Sequence, residues 1–265
     1  MGRAGTRTIP ARRSVADRLR AAGCVAAEEE AAELLEAAGG DPGRLEELVG
    51  RRCGGEPLAW IVGTVAFCGE RVLVHPGVYV PRWQSEPLAL EAAARLPAHG
   101  FALDLCTGSG AIALVLRRRR PLARVVSTDV DPAAAACARA NGVDAVVCDL
   151  GAALAPSLAG TVDVVTAVAP YVPTDALGLL PRDVVAHEPR RALDGGPDGT
   201  DLLARVAREA ALLLRPGGSL LVELGGDQAA HLGPVLEDAG FTRVGTRCDE
   251  DGELRCLVAS RRSPC

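Results

Sequence analysis

The chain has 265 residues, 48% hydrophobic and 24% charged, a balance that supports a buried core and excludes disorder over most of its length. A net charge of −5, with only two Trp, two Tyr and three Phe, argues against duplex binding and against a base-stacking surface. No apolar run approaches the roughly 20 residues needed to cross a bilayer, so no membrane role is expected.

Taken in order, the pattern begins as helix. Val15, Leu19, Ala22 and Val25 recur at three- and four-residue steps, followed by Ala31, Leu34 and Leu35, which predicts one helix over 14–38 ended by Gly39-Gly40-Asp41-Pro42. A second short helix is expected from Pro42 to Val49. Residues 66–74 read as two short strands around Gly69, and Gly77 to Pro81 as further extended chain. A helix is expected to start near Ser85. From Phe101 onward short apolar strands alternate with helices. Strands are predicted over 101–105, 124–129, 145–149, 162–167 and 219–223, with helices over 111–118, up to Asn141 and over 201–214. Such alternation means a parallel sheet covered on both faces. Residues 241–244 and 254–259 are expected to close it as a strand pair. The domain reading is a helical unit over 1–63, a hairpin linker over 64–84 and an α/β domain over 85–265.

Nine cysteines, an odd number with no Cys-x-x-Cys pair, fit reduced, mostly buried thiols in the cytosol better than disulfides or a zinc site. Residues 1–20 carry arginines but no apolar segment of a secretory signal, so a cytoplasmic protein is expected, monomeric by default. All 29 basic residues are arginine, which reads as compositional bias and takes weight from runs such as Arg117 to Arg120.

In doubly wound sheets ligands lie beyond the carboxyl ends of the strands. After the first strand of the alternation comes Asp104-Leu105-Cys106-Thr107-Gly108-Ser109-Gly110, whose glycines allow close backbone approach and whose helix start offers free N–H groups. Asp129 ends the second strand, 21 residues beyond Gly108, the spacing at which a carboxylate can accept from ribose hydroxyls. Asp149 and Leu150 follow the third strand, where an adenine edge would lie. Residues 108–113 also match a loose dinucleotide fingerprint, so a nicotinamide cofactor stays open. The acids Asp104 and Asp149 favour S-adenosylmethionine, whose ammonium needs acceptors and which has no pyrophosphate.

Several motifs in sequence order resemble the HemK/PrmC-like protein-(glutamine-N5) methyltransferases, which modify the glutamine of the Gly-Gly-Gln loop in peptide-chain release factors. They are residues 55–63, Phe67-Cys68-Gly69, and Val80 to Glu86, which is similar to a Pro-Arg-x-x-Thr-Glu signature with Ser85 in place of Thr. Residues 104–113 resemble the cofactor loop, and 167–173 stand where the family carries Asn-Pro-Pro-Tyr. Residues 187–199, residues 217–224 with Gln228, and Asp251-Gly252 with Arg255 complete the series. The resemblance implies a Rossmann-like S-adenosylmethionine-dependent methyltransferase sheet with a reversed last strand, a small N-terminal helical domain and a hairpin linker. It implies S-adenosylmethionine bound by Asp104, Cys106, Thr107, Gly108, Ser109, Gly110, Asp129, Asp149 and Leu150, a release factor as partner, and no metal. Cys106 stands where the family more often has Gly.

The same resemblance places the acceptor site at Val168, Ala169, Pro170 and Tyr171. In the family the Asn oxygen and the carbonyl of the next residue accept the two N–H bonds of the substrate amide. Here Val168 removes the side-chain acceptor, whereas the Ala169 carbonyl, Pro170 and Tyr171 remain. Three outcomes follow: glutamine methylation at altered efficiency, methylation of another acceptor such as a small molecule, or cofactor binding with little catalysis. His187 beside Glu188 suggests a base, but the reaction needs no strong one, and Glu188-Pro189 reads as a loop-ordering element. Glu223 is expected to bond nearby backbone groups or to line the substrate site.

Overall fold

The computed structural model describes residues 5–154, 158–249 and 251–263; Cys265 lies outside them. In chain order the helices are α1 (Gly5–Ala21), α2 (Ala27–Ala38), α3 (Pro42–Cys53) and α4 (Leu58–Val62). A hairpin of β1 (Thr64–Phe67) and β2 (Glu70–Leu73) leads to α5 (Glu86–Arg95). The alternating part runs β3 (Phe101–Leu105), α6 (Ala111–Arg119), β4 (Arg124–Asp129), α7 (Pro132–Ala140), β5 (Asp144–Val147) and β6 (Val162–Ala167). Then come α8 (Arg182–His187), α9 (Asp201–Leu213), β7 (Leu214–Glu223), α10 (Gln228–Asp238), β8 (Phe241–Cys248) and β9 (Leu254–Arg261).

Two compact units result, one of Met1–Thr64 with Pro181–His187 and one of Val65–Leu180 with Glu188–Cys265. The hairpin therefore groups with the sheet, because Phe67 and Val72 are buried in its core.

In the first unit the single helix expected over 14–38 is two. Gly23 takes φ +91 and the Cys24 amide bonds back to the Leu19 carbonyl at 3.0 Å, a turn that ends α1. Helix periodicity alone could not show the break, since apolar residues continue in phase across it. Asp41 caps α3, accepting from Gly43 and Arg44 amides at 2.8 and 3.1 Å, with Pro42 in the first turn. The helix runs past Val49 to Cys53, carrying Arg52 to a half-buried ion pair with Glu30 at 2.7 Å. Leu19, Leu34 and Val49 form the centre of this unit.

In the second unit Cys68 and Gly69 both have positive φ, the twisted two-residue turn that joins β1 to β2. Of residues 77–81, expected as extended chain, none joins a strand; a turn at Pro76 and Gly77 is followed by a bend at Val78. The seven-stranded sheet has the order β5-β4-β3-β6-β7-β9-β8. Strands β3 to β7 pair in parallel, whereas β9 runs antiparallel to both β7 and β8. Alternation along β3 divides two cores: Ala102 packs with α5 and α6 on one face, Leu103 and Leu105 with α9 on the other. The direction of winding reverses between β3 and β6, which leaves a crevice at the carboxyl ends of those strands. Among the described residues no helix is long and apolar enough to cross a membrane.

Candidate active site

A cleft of about 1230 Å³, open to solvent, occupies that crevice. One wall is the loop between β3 and α6. Its backbone is left-handed at Cys106, Gly108 and Gly110, with φ of +53, +56 and +83. Only Gly110 is also sterically required, because a Cβ there would stand 2.9 Å from the Ala138 side chain. Cys106 holds a conformation that costs an ordinary L residue about 1–2 kcal/mol. Burial and the neighbouring Asp129 and Asp104 charges push its thiol pKa up.

Three carboxylates shape this wall. Asp104 is only 1% exposed and accepts from the hydroxyls of Thr107 and Thr166 at 2.5 and 2.6 Å. Burial still raises its pKa to about 6, against those two bonds. Asp129 accepts from the Gly108 amide and the Asp131 amide, both at 2.9 Å, so it braces the glycine loop from β4. Burial raises its pKa, the two amide bonds opposing. Asp149 is exposed and pairs with Arg205 of α9 at 2.8 Å. Leu150 is buried, has φ +50 and faces the cleft.

The opposite wall follows β6. Val168 and Pro170 face the cleft, Ala169 turns into the core and Tyr171 lies behind, its hydroxyl donating to Glu223 at 2.9 Å. Burial and the Glu223 charge push the Tyr171 phenol pKa up. Gln228 donates to the Tyr171 carbonyl at 2.6 Å. A Cβ on Gly195 would lie 2.7 Å from the Pro170 carbonyl oxygen, and one on Gly199 only 2.1 Å from that of Tyr171. These glycines let the 195–199 strand of chain lie directly on the acceptor segment.

Of the residues expected from sequence, Asp104, Cys106, Thr107, Gly108, Ser109, Asp129, Asp149, Leu150, Val168 and Pro170 line the cleft; Gly110, Ala169 and Tyr171 support it from outside. Sequence reasoning missed Val78, Tyr79, Pro81 and Ser85 on the linker side, and Arg191, Leu202 and Arg205. Pro81 and Ser85 stand in the signature-like segment 80–86 and Arg191 in the segment 187–199, but nothing local places any of these residues in the cleft, since that depends on packing distant segments together. Glu188 is buried and accepts from Arg82, while Pro189 reaches the cleft. Instead of nearby backbone, Glu223 bonds two hydroxyls, those of Tyr171 and Ser85. No set of three or more His, Cys, Asp or Glu able to hold a metal occurs among the described residues.

No protein-family model matches the chain. Curated relatives do. The release factor glutamine methyltransferase of Mycolicibacterium smegmatis is 40% identical over 223 residues, 82% of this chain and 79% of the relative. That of Cereibacter sphaeroides is 36% identical over 96% of this chain and 98% of its own. The 4-amino-L-phenylalanine/4-methylamino-L-phenylalanine methyltransferase of Streptomyces pristinaespiralis is 37% identical over 86% of this chain and 81% of its own. Among solved structures, the E. cuniculi Mtq2-Trm112 complex responsible for methylation of the termination factor eRF1 aligns with TM-score 0.52 at 26% identity. It covers 71% of this chain and 99% of that one. A ribosomal protein L11 methylase from Lactobacillus delbrueckii subsp. bulgaricus shares the fold, with TM-score 0.52 at 16% identity over 74% of this chain and 87% of that one. By identity sustained along most of both sequences, the chain belongs to the release factor glutamine methyltransferase family.

Proposed function

We propose that the protein transfers a methyl group from S-adenosylmethionine to the side-chain amide of a glutamine in a peptide-chain release factor. One observation carries the reading: the glycine loop and the Pro170 wall face each other across a single cleft, in a chain of this family. The residues present suit the cofactor. Among the described residues, a Cβ built on Gly108 meets no atom within 4 Å and the buried Ser109 hydroxyl in the same loop has no hydrogen-bond partner. Asp104, Cys106, Thr107, Gly108, Ser109, Asp129, Asp149 and Leu150 would hold the cofactor, with Gly110 shaping the loop. When bound it supplies an electrophilic methyl group on a sulfonium.

A carboxamide nitrogen is a poor nucleophile because its lone pair is delocalised, so the protein must work by orientation and local electrostatics. The Ala169 carbonyl would accept one amide N–H, and Pro170 would wall the acceptor. The Val168 side chain offers no acceptor for the second N–H. An unpaired buried N–H costs about 1–3 kcal/mol, or roughly five- to 150-fold in rate when felt in the transition state. The expected activity is therefore slow glutamine methylation.

A second reading is favoured by Val168 together with the Streptomyces pristinaespiralis relative, whose name specifies an aromatic amine acceptor. The lone pair of an aryl amine is less delocalised than that of a carboxamide, so its methylation depends less on orientation by two acceptors, and an apolar Val168 beside the ring would suit it. Incubation with methyl-labelled cofactor, a release factor and 4-aminophenylalanine separates the readings. Label on the release-factor glutamine supports the first; label on the amine alone overturns it; cofactor binding with label on neither means a chain without transferase activity on these acceptors.

A further inference from the structure

We propose that Glu223 is a positioning residue for methyl transfer, its carboxylate tying the Ser85 wall of the cleft to Tyr171 behind the Pro170 wall. The proposal rests on the transferase reading above. Glu223 ends β7, is 2% exposed and does not line the cleft, so it acts through its partners. Each carboxylate oxygen has its own donor. Tyr171 donates to Oε1 at 2.9 Å and Ser85 donates to Oε2. Ser85 is buried, faces the cleft and ends the short turn that leads into α5.

The two hydroxyls come from segments far apart in the chain, and both belong to motifs that frame the acceptor side. Behind Tyr171 the space is already closed. Gln228 fixes its carbonyl, and Gly199 leaves no room for even a methyl group beside it. Glu223 is thus the joint between the Ser85 side of the cleft and the Pro170 wall. A carboxylate can accept at both oxygens, whereas an amide accepts at one only, so glutamine could hold Ser85 or Tyr171 but not both in the same sense. That explains a carboxylate in a place where burial opposes its charge and raises its pKa. The groups facing it are Ser85 and Tyr171, Tyr79 from the linker, and Arg255 and Cys256 from β9. Of these the Ser85 and Tyr171 hydrogen bonds, and then the Arg255 charge, favour the ionised form. Protonation turns one oxygen into a donor and breaks the two-handed grip.

The test combines a substrate-free signal with kinetics. With only two tyrosines, 13Cζ labelling gives two resonances, and that of Tyr171 is expected to move as pH falls through the Glu223 titration. In Glu223→Gln it should stay flat. The same variant should lose about ten- to 100-fold in kcat, as expected for a lost hydrogen bond to a charged group. S-adenosylhomocysteine affinity should remain within about twofold, and the acidic fall in kcat expected of the wild type should vanish. A Tyr171 resonance indifferent to pH, wild-type kcat in Glu223→Gln, or an equal loss of cofactor affinity would each overturn the proposal. Should that variant not fold, Ser85→Ala and Tyr171→Phe keep the carboxylate. Their combined kcat loss should fall short of the product of the single losses, and a simple product would overturn the proposal. If the wild type methylates no release factor, the glutamine reading fails, and the tyrosine resonance still reports whether Glu223 holds Tyr171.

Discussion

The two walls of the cleft are built by opposite means. The wall from β3 and β4 is local: Thr107, Gly108 and Gly110 are held by Asp104, Asp129 and a helix start, all within one strand-loop-helix-strand passage. The wall after β6 has little of its own. Val168, Ala169 and Pro170 offer backbone and apolar surface, and their position is imposed by Gln228, Glu223 and the 195–199 segment. A loop that must hold a fixed cofactor can carry its own hydrogen bonds, whereas a wall that meets a variable acceptor can change its residues while others keep it in place.

That contrast can be broken from behind. Gly199→Ala would force a methyl group to within 2.1 Å of the Tyr171 carbonyl oxygen and 2.4 Å of Gln228 Nε2, at a residue with φ +75. Methyl transfer should fall by about 100-fold or more, the equivalent of roughly 3 kcal/mol, while calorimetry shows S-adenosylhomocysteine affinity almost unchanged. Equal loss of both would mean that the walls are not independent.

Restoring an acceptor sharpens the same point. Val168→Asn should raise glutamine methylation by roughly five- to 150-fold and leave cofactor affinity alone. Equal rates for the two proteins on a release factor would count against the missing-acceptor argument.

On the cofactor side the expected effect is a pH dependence of stability. The Asp104 pKa is raised to about 6 in the fold from an ordinary 3.8. The folded chain therefore takes up a proton that the unfolded chain does not as pH drops from about 7 to 4, and stability from this group grows over that window. Urea unfolding of wild type against Asp104→Asn should show the wild type gaining relative stability at lower pH. A gap that is constant or widens the other way would reject the burial argument. The smallest effect is expected at Arg205→Ala. Its pair with Asp149 is exposed on both sides, so unfolding should change by under about 1 kcal/mol.

Much of the α/β unit was legible along the chain. The strands Phe101–Leu105, Arg124–Asp129 and Val162–Ala167 lie where apolar runs between turn residues placed them, because each is buried on both faces and has no alternative partner. Strand β7 starts at Leu214 rather than Ser219, since Leu214 pairs with Val162 across an irregularity that Pro216 and two glycines accommodate. In the cleft, the residues near the glycine loop were readable because their spacing is itself the site. Tyr79, Pro81 and Ser85 were not assigned to it, since nothing in their own segment says which strand end they will meet.

By itself the order of residues determined the parallel sheet, the glycine loop with its acids, and the absence of a side-chain acceptor at Val168. All three are properties of single positions or of spacings within a few tens of residues, set by backbone geometry and side-chain chemistry. Only the tertiary structure decided that Asp129 braces the loop, that Tyr171 supports the cleft from outside, and that Glu223 joins Ser85 to Tyr171. Hydrogen bonds between groups 52 and 138 residues apart exist only once the sheet has brought strand ends together.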